Sequence, residues 1–328
     1  MFDDRRRRVA FEGEAPRVDV AHVLVGGVFV VDGGTVVEAA TPGRALTNTL
    51  DAPGAAAAVF GFGENYAGLL DAAKADGLDT PALVMDAKAF RHNAAALSAH
   101  VRSSGCRWRP HAKALRCGAL AKACVDAGAV GITCAKVSQA RAVVDAGVGD
   151  VLVANEVVGE AKIAALVALG ARATVSVAVD DEANLAALSR AAAAAGAEIR
   201  VLVDVDVGQG RCGVPHGDRA SIVALAAAAA AAPGVVFDGL MGYDGHAQDA
   251  SPAALRETRL VAARLAAARA AVEAAGLDVA VVSGAGSGNY VLAATLGGVT
   301  EVQAGGACFQ CATYEATIGA GTGTSLQP

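Results

Sequence analysis

The chain has 328 residues, of which 54% are hydrophobic and 18% charged, and its formal net charge is −6. That length and apolar content suffice for a barrel-sized core with a smaller appended piece. The acidic balance excludes surfaces built for nucleic acid or anionic membrane, which need a basic footprint; the one basic run, Arg5–Arg8, reads as a solvated terminal patch.

No apolar stretch of signal-peptide type stands near the start, and runs such as Ala226–Ala232 are too short to span a bilayer. The seven cysteines form no paired framework, so reduced thiols and a cytoplasmic location are expected. Cys308 and Cys311 have CxxC spacing, but with no second pair the spacing is a weak metal or redox signal.

In chain order, Val23–Val31 and Thr35–Val37 are β-rich and flank Asp32-Gly33-Gly34, the composition of a hairpin turn. Residues 48–78 read as a linker with one short helix near Tyr66–Ala75. From Thr80 a regular rhythm begins. Ala82–Asp86 is strand-like, Lys88–Val101 has helical periodicity, Trp108–Lys113 reads as a second strand and Cys117–Ala127 as a helix. Six further apolar runs follow: Gly131–Ala135, Val151–Asn155, Thr174–Val179, Val201–Val207, Gly239–Tyr243 and Val279–Ser283. Ala-rich segments of helical length separate them. Eight strands alternating with helices fit a TIM-type (β/α)8 barrel, with a doubly wound open sheet as the runner-up. The barrel is favoured because Lys113, Lys136, Asn155, Glu156, Arg211, Tyr243 and His246 all follow apolar runs, where barrel enzymes build their sites.

On a strand, Arg109, His111 and Lys113 would share one face, opposite Trp108 and Ala112. Three basic groups at that spacing repel one another, and a lysine held among cations is a better amine nucleophile; a basic solvent-facing edge strand is the plainer alternative. The loop Ser283-Gly284-Ala285-Gly286-Ser287-Gly288 follows the last run, and its small residues expose backbone N–H groups that can cradle a phosphate. An amine strand and a phosphate loop together suggest a cofactor carrying an aldehyde and a phosphate. Gly208-Gln209-Gly210-Arg211 lets the chain turn tightly and aim Arg211 at the mouth, although Arg211 is as well placed by spacing to pair with Asp204 or Asp206. Tyr243 is a candidate phosphate contact. His246 is either an acid–base group or a structural residue of its Gly-rich turn.

Six ordered motifs carry a resemblance: RPHAKALR (Arg109–Arg116), CAKVSQA (Cys134–Ala140), VANEVVG (Val153–Gly159), DVDVGQGRCGV (Asp204–Val214), GYDGH (Gly242–His246) and SGAGSGNY (Ser283–Tyr290). Together, over about residues 78–315, they resemble the D-threonine aldolase and D-serine dehydratase family, fold-type III pyridoxal-phosphate enzymes with an alanine-racemase-like barrel. The resemblance implies that Lys113 is the Schiff-base lysine and that Arg211 faces the pyridine nitrogen. It also implies that Tyr243, Gly286 and Ser287 bind the phosphate with help from Ser283, Gly284 and Gly288, and that His111 and Arg109 shape the lysine's surroundings. The implied reaction is retro-aldol cleavage of a D-β-hydroxy amino acid to glycine and an aldehyde, with dehydration of D-serine as the sibling outcome and a non-catalytic pyridoxal-phosphate-binding remnant as the other alternative. A homodimer is expected.

The sequence departs from the family's RPHxKTHK at Ala114, Leu115 and Arg116. The family also holds a divalent metal, manganese or zinc, on ligands from a C-terminal β-domain. With the sequence ending at Pro328, the expectation is a barrel over 79–298, only the start of that domain over 299–328, and no metal ligands. Residues 22–46 (HVLVGGVFVVDGGTVVEAATPGRAL) resemble the terminal strands of N-acyl-D-amino-acid deacylases, which sets residues 1–47 apart as a β-hairpin segment before the linker.

Overall fold

A computed structural model of the protein describes residues 22–25, 28–32, 35–36 and 87–309. Near the start, β1 (His22–Val25), β2 (Val28–Asp32) and β3 (Thr35–Val36) form an antiparallel sheet in the order β1-β2-β3. The run read as one strand over Val23–Val31 therefore folds back on itself between Val25 and Val28, while the expected turn after Asp32 joins β2 to β3. The linker helix near Tyr66–Ala75, the strand Ala82–Asp86 and Cys311 lie outside the described residues.

The main body is a parallel sheet. Its strands are β4 (Arg107–Trp108), β5 (Ile132–Cys134), β6 (Asp150–Glu156), β7 (Thr174–Val179), β8 (Ile199–Asp206), β10 (Val235–Gly242), β11 (Val281–Gly284) and β12 (Glu301–Val302), hydrogen-bonded in the order β4-β12-β11-β10-β8-β7-β6-β5. The two ends of that order meet. A parallel bridge joins His111 to Thr133, and the Thr133 N–H donates to the Pro110 carbonyl at 2.9 Å. The ring of eight is thereby closed, and the barrel has no free edge to cap. A short strand, β9 (Val214–Pro215), pairs with the end of β8.

Glu301–Val302 is a correction to the sequence reading, which places the start of a further β-domain there. It pairs in parallel with both β11 and β4 and is the stave that closes the barrel. Two residues carry no legible period-two pattern, so the sequence could not mark it as a strand of this sheet.

The strands alternate as buried parallel strands do. Val151, Val153, Val175, Val177, Val201 and Val203 point outward into a core completed by the helices, whereas Leu152, Ala178, Leu202, Met241 and Val281 meet inside the barrel. Helices α1 (Ala87–Ser103), α3 (Gly118–Asp126), α4 (Val137–Asp145), α5 (Glu160–Leu169), α6 (Glu182–Ala194), α7 (Arg219–Ala231) and α8 (Pro252–Ala274) connect the strands. The later ones start where the sequence supplies a cap: the side chains of Asp181, Asp218 and Ser251 accept from the N–H groups of Asn184, Ser221 and Ala254. The short helices α2 (Ala112–Leu115) and α9 (Tyr290–Ala293) sit beside the C-terminal mouth.

Candidate active site

The stretch around Lys113 runs as a strand only as far as Trp108. Arg109 and His111 follow the period-two face into the barrel while Trp108 faces the outer core, its indole N–H donating to the Ala304 carbonyl at 2.8 Å. At Ala112 the chain turns into α2, so Lys113 sits on a helical turn and not on a strand. His111 makes that turn. It is the N-cap, and its Nδ1 accepts the Lys113 backbone N–H at 3.1 Å. A ring that accepts at Nδ1 is neutral, with its proton on Nε2. Burial, followed by the charges of Lys113 and Arg211, pushes the His111 pKa down to about 3, so the cap is intact at neutral pH.

Lys113 lies exposed at the mouth with its Nζ 4.8 Å from the centre of the Tyr243 ring. Arg211 approaches the same ring, its Cζ at 5.4 Å from the centre. Partial burial of the amine, and secondarily the Arg211 charge, lower the Lys113 pKa. This is the setting in which an amine keeps a nucleophilic free-base fraction. His111, Lys113, Ala154, Arg211, Met241, Tyr243 and Gln303 line a small cavity at the mouth. Ala154, Met241 and Gln303 escaped the sequence reading: the first two are apolar residues of strands, and Gln303 follows β12.

Arg211 reaches the cavity because its loop is tightly built. Gly210 and Gly213 have φ of +69° and +98°, a region that side-chain-bearing residues rarely adopt, and a Cβ at Gly213 would stand 2.6 Å from the Asp206 nitrogen. Asp206 accepts from the N–H groups of Gly208 and Gly210 at 2.9 and 3.0 Å, which commits it to the loop and not to Arg211.

The remaining expected residues divide. Ser283 is fully buried within the barrel, donating to Glu301 Oε1 at 2.9 Å and accepting from Gln303 Nε2 at 3.1 Å. Gly284 is taken up in strand pairing with Val302. In the glycine loop, the Gly286 N–H donates to Asn289 Oδ1 at 3.0 Å and the Gly288 N–H to Gln248 Oε1 at 2.9 Å, while Ser287 Oγ accepts from the Ala307 N–H at 3.1 Å. Asn289 is held in turn by the buried Asp244 carboxylate. His246 turns away from the cavity. Its Nε2 lies 3.3 Å from Glu257 Oε1 on α8, and Glu257 is shared with Arg264. Arg109 lies apart from the cavity lining, its Nη1 2.5 Å from Asp150 and its Nε 2.9 Å from Glu301. Burial works against its charge, but the two carboxylates outweigh that and raise its pKa.

One group of potential metal ligands comes together among the described residues: Glu156, Asp204 and Cys212. Burial first pushes the Cys212 thiol up to about 12, and burial together with Glu156 holds Asp204 toward its protonated form, so a divalent ion would have to displace protons there. No step is assigned to a metal there.

This geometry, a lysine amine, an arginine and a tyrosine face at the C-terminal mouth of a closed barrel, agrees with the comparisons. The family described as "Alanine racemase, N-terminal domain" matches residues 85–312. The chain belongs to that family.

Among its relatives, a D-threonine aldolase from Arthrobacter sp is 43% identical over 244 residues, covering 73% of this chain and 63% of the relative. A 3-hydroxy-D-aspartate aldolase from Paracoccus denitrificans (strain Pd 1222) is 39% identical over 241 residues, covering 72% and 62%. The crystal structure of D-threonine aldolase from Filomicrobium marinum superposes with a TM-score of 0.72 at 40% identity, covering 76% of this chain and 67% of that one. The chain thus spans a little over three fifths of the length of the curated relatives it matches.

As a member of this alanine-racemase-like family, the barrel is expected to take pyridoxal phosphate, and the cavity residues fit that group in part. Lys113 offers an amine of lowered pKa, Tyr243 an aromatic face, and Arg211 a cation that does not give up its proton. The amides of Gly286 and Gly288 are already satisfied within the chain, so they are not standing open for a phosphate. The sequence shows glycines there but not the Gln248 and Asn289 side chains that fill them.

Proposed function

We propose that the chain is the cofactor-binding barrel of a pyridoxal-phosphate-dependent lyase acting on D-β-hydroxy amino acids, cleaving them to glycine and an aldehyde. The observation that carries the reading is the convergence of Lys113 and Arg211 on the Tyr243 ring, from elements about a hundred residues apart in sequence. The relatives supply the reaction class, two of them being aldolases of D-amino acids by name.

Bound at the mouth, pyridoxal phosphate would supply an electrophilic aldehyde and an electron-withdrawing ring. The chain's own groups do the rest. Lys113 presents its amine from α2, a turn held at one end by neutral His111. Arg211 keeps a positive charge at the cavity wall and, by repulsion, helps keep the Lys113 amine unprotonated. Tyr243 separates the two cations and offers them its ring face. In the net reaction the Cα–Cβ bond of the substrate breaks, the β-hydroxyl loses its proton as the aldehyde forms, and Cα gains one as glycine forms. The active unit is proposed to be a homodimer and to work in the cytoplasm. Among the described residues no helix is long and apolar enough to cross a membrane.

The test is direct. With added pyridoxal phosphate the chain should develop an imine absorbance that borohydride fixes to Lys113. With manganese or zinc it should release glycine and acetaldehyde from D-threonine. Pyruvate from D-serine would point to dehydration instead, and an imine without either product would leave a binding protein.

A further inference from the structure

Gln303 follows β12 and forms part of the cavity wall, with 3% of its surface exposed. Its backbone N–H donates to the Gly284 carbonyl at 3.0 Å, and its Nε2 donates to Ser283 Oγ at 3.1 Å. The direction of that second bond is dictated from the barrel's interior. Ser283 has a single hydroxyl proton, which goes to Glu301 Oε1 at 2.9 Å, the same oxygen that Arg109 Nε approaches at 2.9 Å. Ser283 Oγ is therefore left to accept, and only the NH2 end of Gln303 can serve it. The amide oxygen is the end left over. It has no hydrogen-bond partner among the described residues and is not sealed away, so it opens on the cavity.

The rest of the wall mainly donates. Lys113 and Arg211 bring N–H groups, His111, with Nδ1 committed to its cap, brings Nε2–H, and Tyr243 turns its ring face to both cations. Those donors suit the phosphate and carboxylate oxygens of the cofactor and a D-amino acid, which only accept. An acceptor fixed among them is matched to a group that donates. The Arg211 charge disfavours a protonated pyridine nitrogen, whereas a β-hydroxyl donates without acquiring charge. We propose that Gln303 is a specificity-determining residue. Its amide oxygen, held in place by the Arg109–Glu301–Ser283 chain, accepts a hydrogen bond from the substrate's β-hydroxyl and so selects D-β-hydroxy amino acids over their deoxy counterparts. An amide does not take up the proton, so Gln303 orients the hydroxyl and is not the base of the cleavage. The inference deepens the proposed function and rests on it.

The chain is loaded with pyridoxal phosphate and mixed rapidly, with no metal added, with D-threonine or with D-α-aminobutyrate, the same skeleton without the β-hydroxyl. Dissociation constants are read from the change in imine absorbance before turnover. Wild type should bind D-threonine about tenfold more tightly, the scale of one buried hydrogen bond whose loss leaves the site's acceptor unpaired. Gln303→Met, close in volume and without the amide oxygen, should bring the ratio to within about twofold of unity by weakening D-threonine alone. Ser283→Ala, which removes the oxygen that orients the amide, should give a ratio between those two. A wild-type ratio near unity, or a Gln303→Met variant that keeps the wild-type ratio, would overturn the proposal. So would a Gln303→Met variant that weakens both amino acids alike, which would mark a packing role or a contact with the cofactor ring. Should Gln303→Met not fold, Ser283→Ala decides, and a ratio unchanged from wild type overturns the proposal. A wild type that forms no imine fails the proposed function and this inference with it, whereas an imine without discrimination fails this inference alone.

Discussion

The buried ion cluster at Arg109 makes the sharpest claim about stability. Glu301 is fully buried, with Arg109 Nε and Ser283 Oγ each 2.9 Å from its Oε1. Glu301→Ala removes both contacts and leaves a guanidinium whose side chain is 8% exposed facing only Asp150, itself 34% exposed. A buried charge deprived of a partner costs about 3–5 kcal/mol, a large part of the roughly 5–15 kcal/mol that holds a domain folded. The surface pair of Arg172 and Asp145, both 53% exposed, supplies the control, since breaking it with Asp145→Ala should cost no more than about 1 kcal/mol. Urea unfolding followed by circular dichroism gives both numbers. The double variant Arg109→Met/Glu301→Leu removes the charges together and should cost less than Glu301→Ala alone. A Glu301→Ala loss indistinguishable from Asp145→Ala, or a double variant worse than the single, would refute this account of the barrel's interior.

Three further outcomes are expected. Lys113→Ala should abolish the borohydride-trapped imine and the accompanying change in absorbance; retention of either would remove Lys113 from the site. His111 has a pKa near 3 when folded against 6.5 ordinarily, so between those values the unfolded chain binds a proton that the folded chain does not. Stability from this group is fully present above pH 6.5 and lost as pH falls toward 3, at no more than about 1.4 kcal/mol per pH unit; urea midpoints from pH 4 to 7 should show that slope, and His111→Asn, which can still cap α2, should flatten it. Gly239→Ala should destabilise the barrel by about 3 kcal/mol or more, because φ is +147° there and a Cβ would stand 1.9 Å from the Val281 carbonyl oxygen; an unchanged melting temperature would contradict the close approach of β10 and β11.

What the amino-acid sequence determines by itself here is local and repetitive. The valine alternation on β6, β7 and β8, the Asp and Ser caps of the helices and the glycines flanking Arg211 each act within a few residues, so they are legible as pattern. They suffice to announce a (β/α)8 barrel with Lys113 and Arg211 at its mouth. The tertiary structure alone decided the rest, because the partners lie far apart in the chain. Glu301 meets Arg109 from the neighbouring stave, Gln248 fills the loop at Gly288, and Glu156 reaches Asp204 from a different strand. His246, chemically suited to a site, is instead drawn outward by Glu257 on α8. Charge pairing and close packing act through space, and only the closed ring of strands determines which side chains are neighbours.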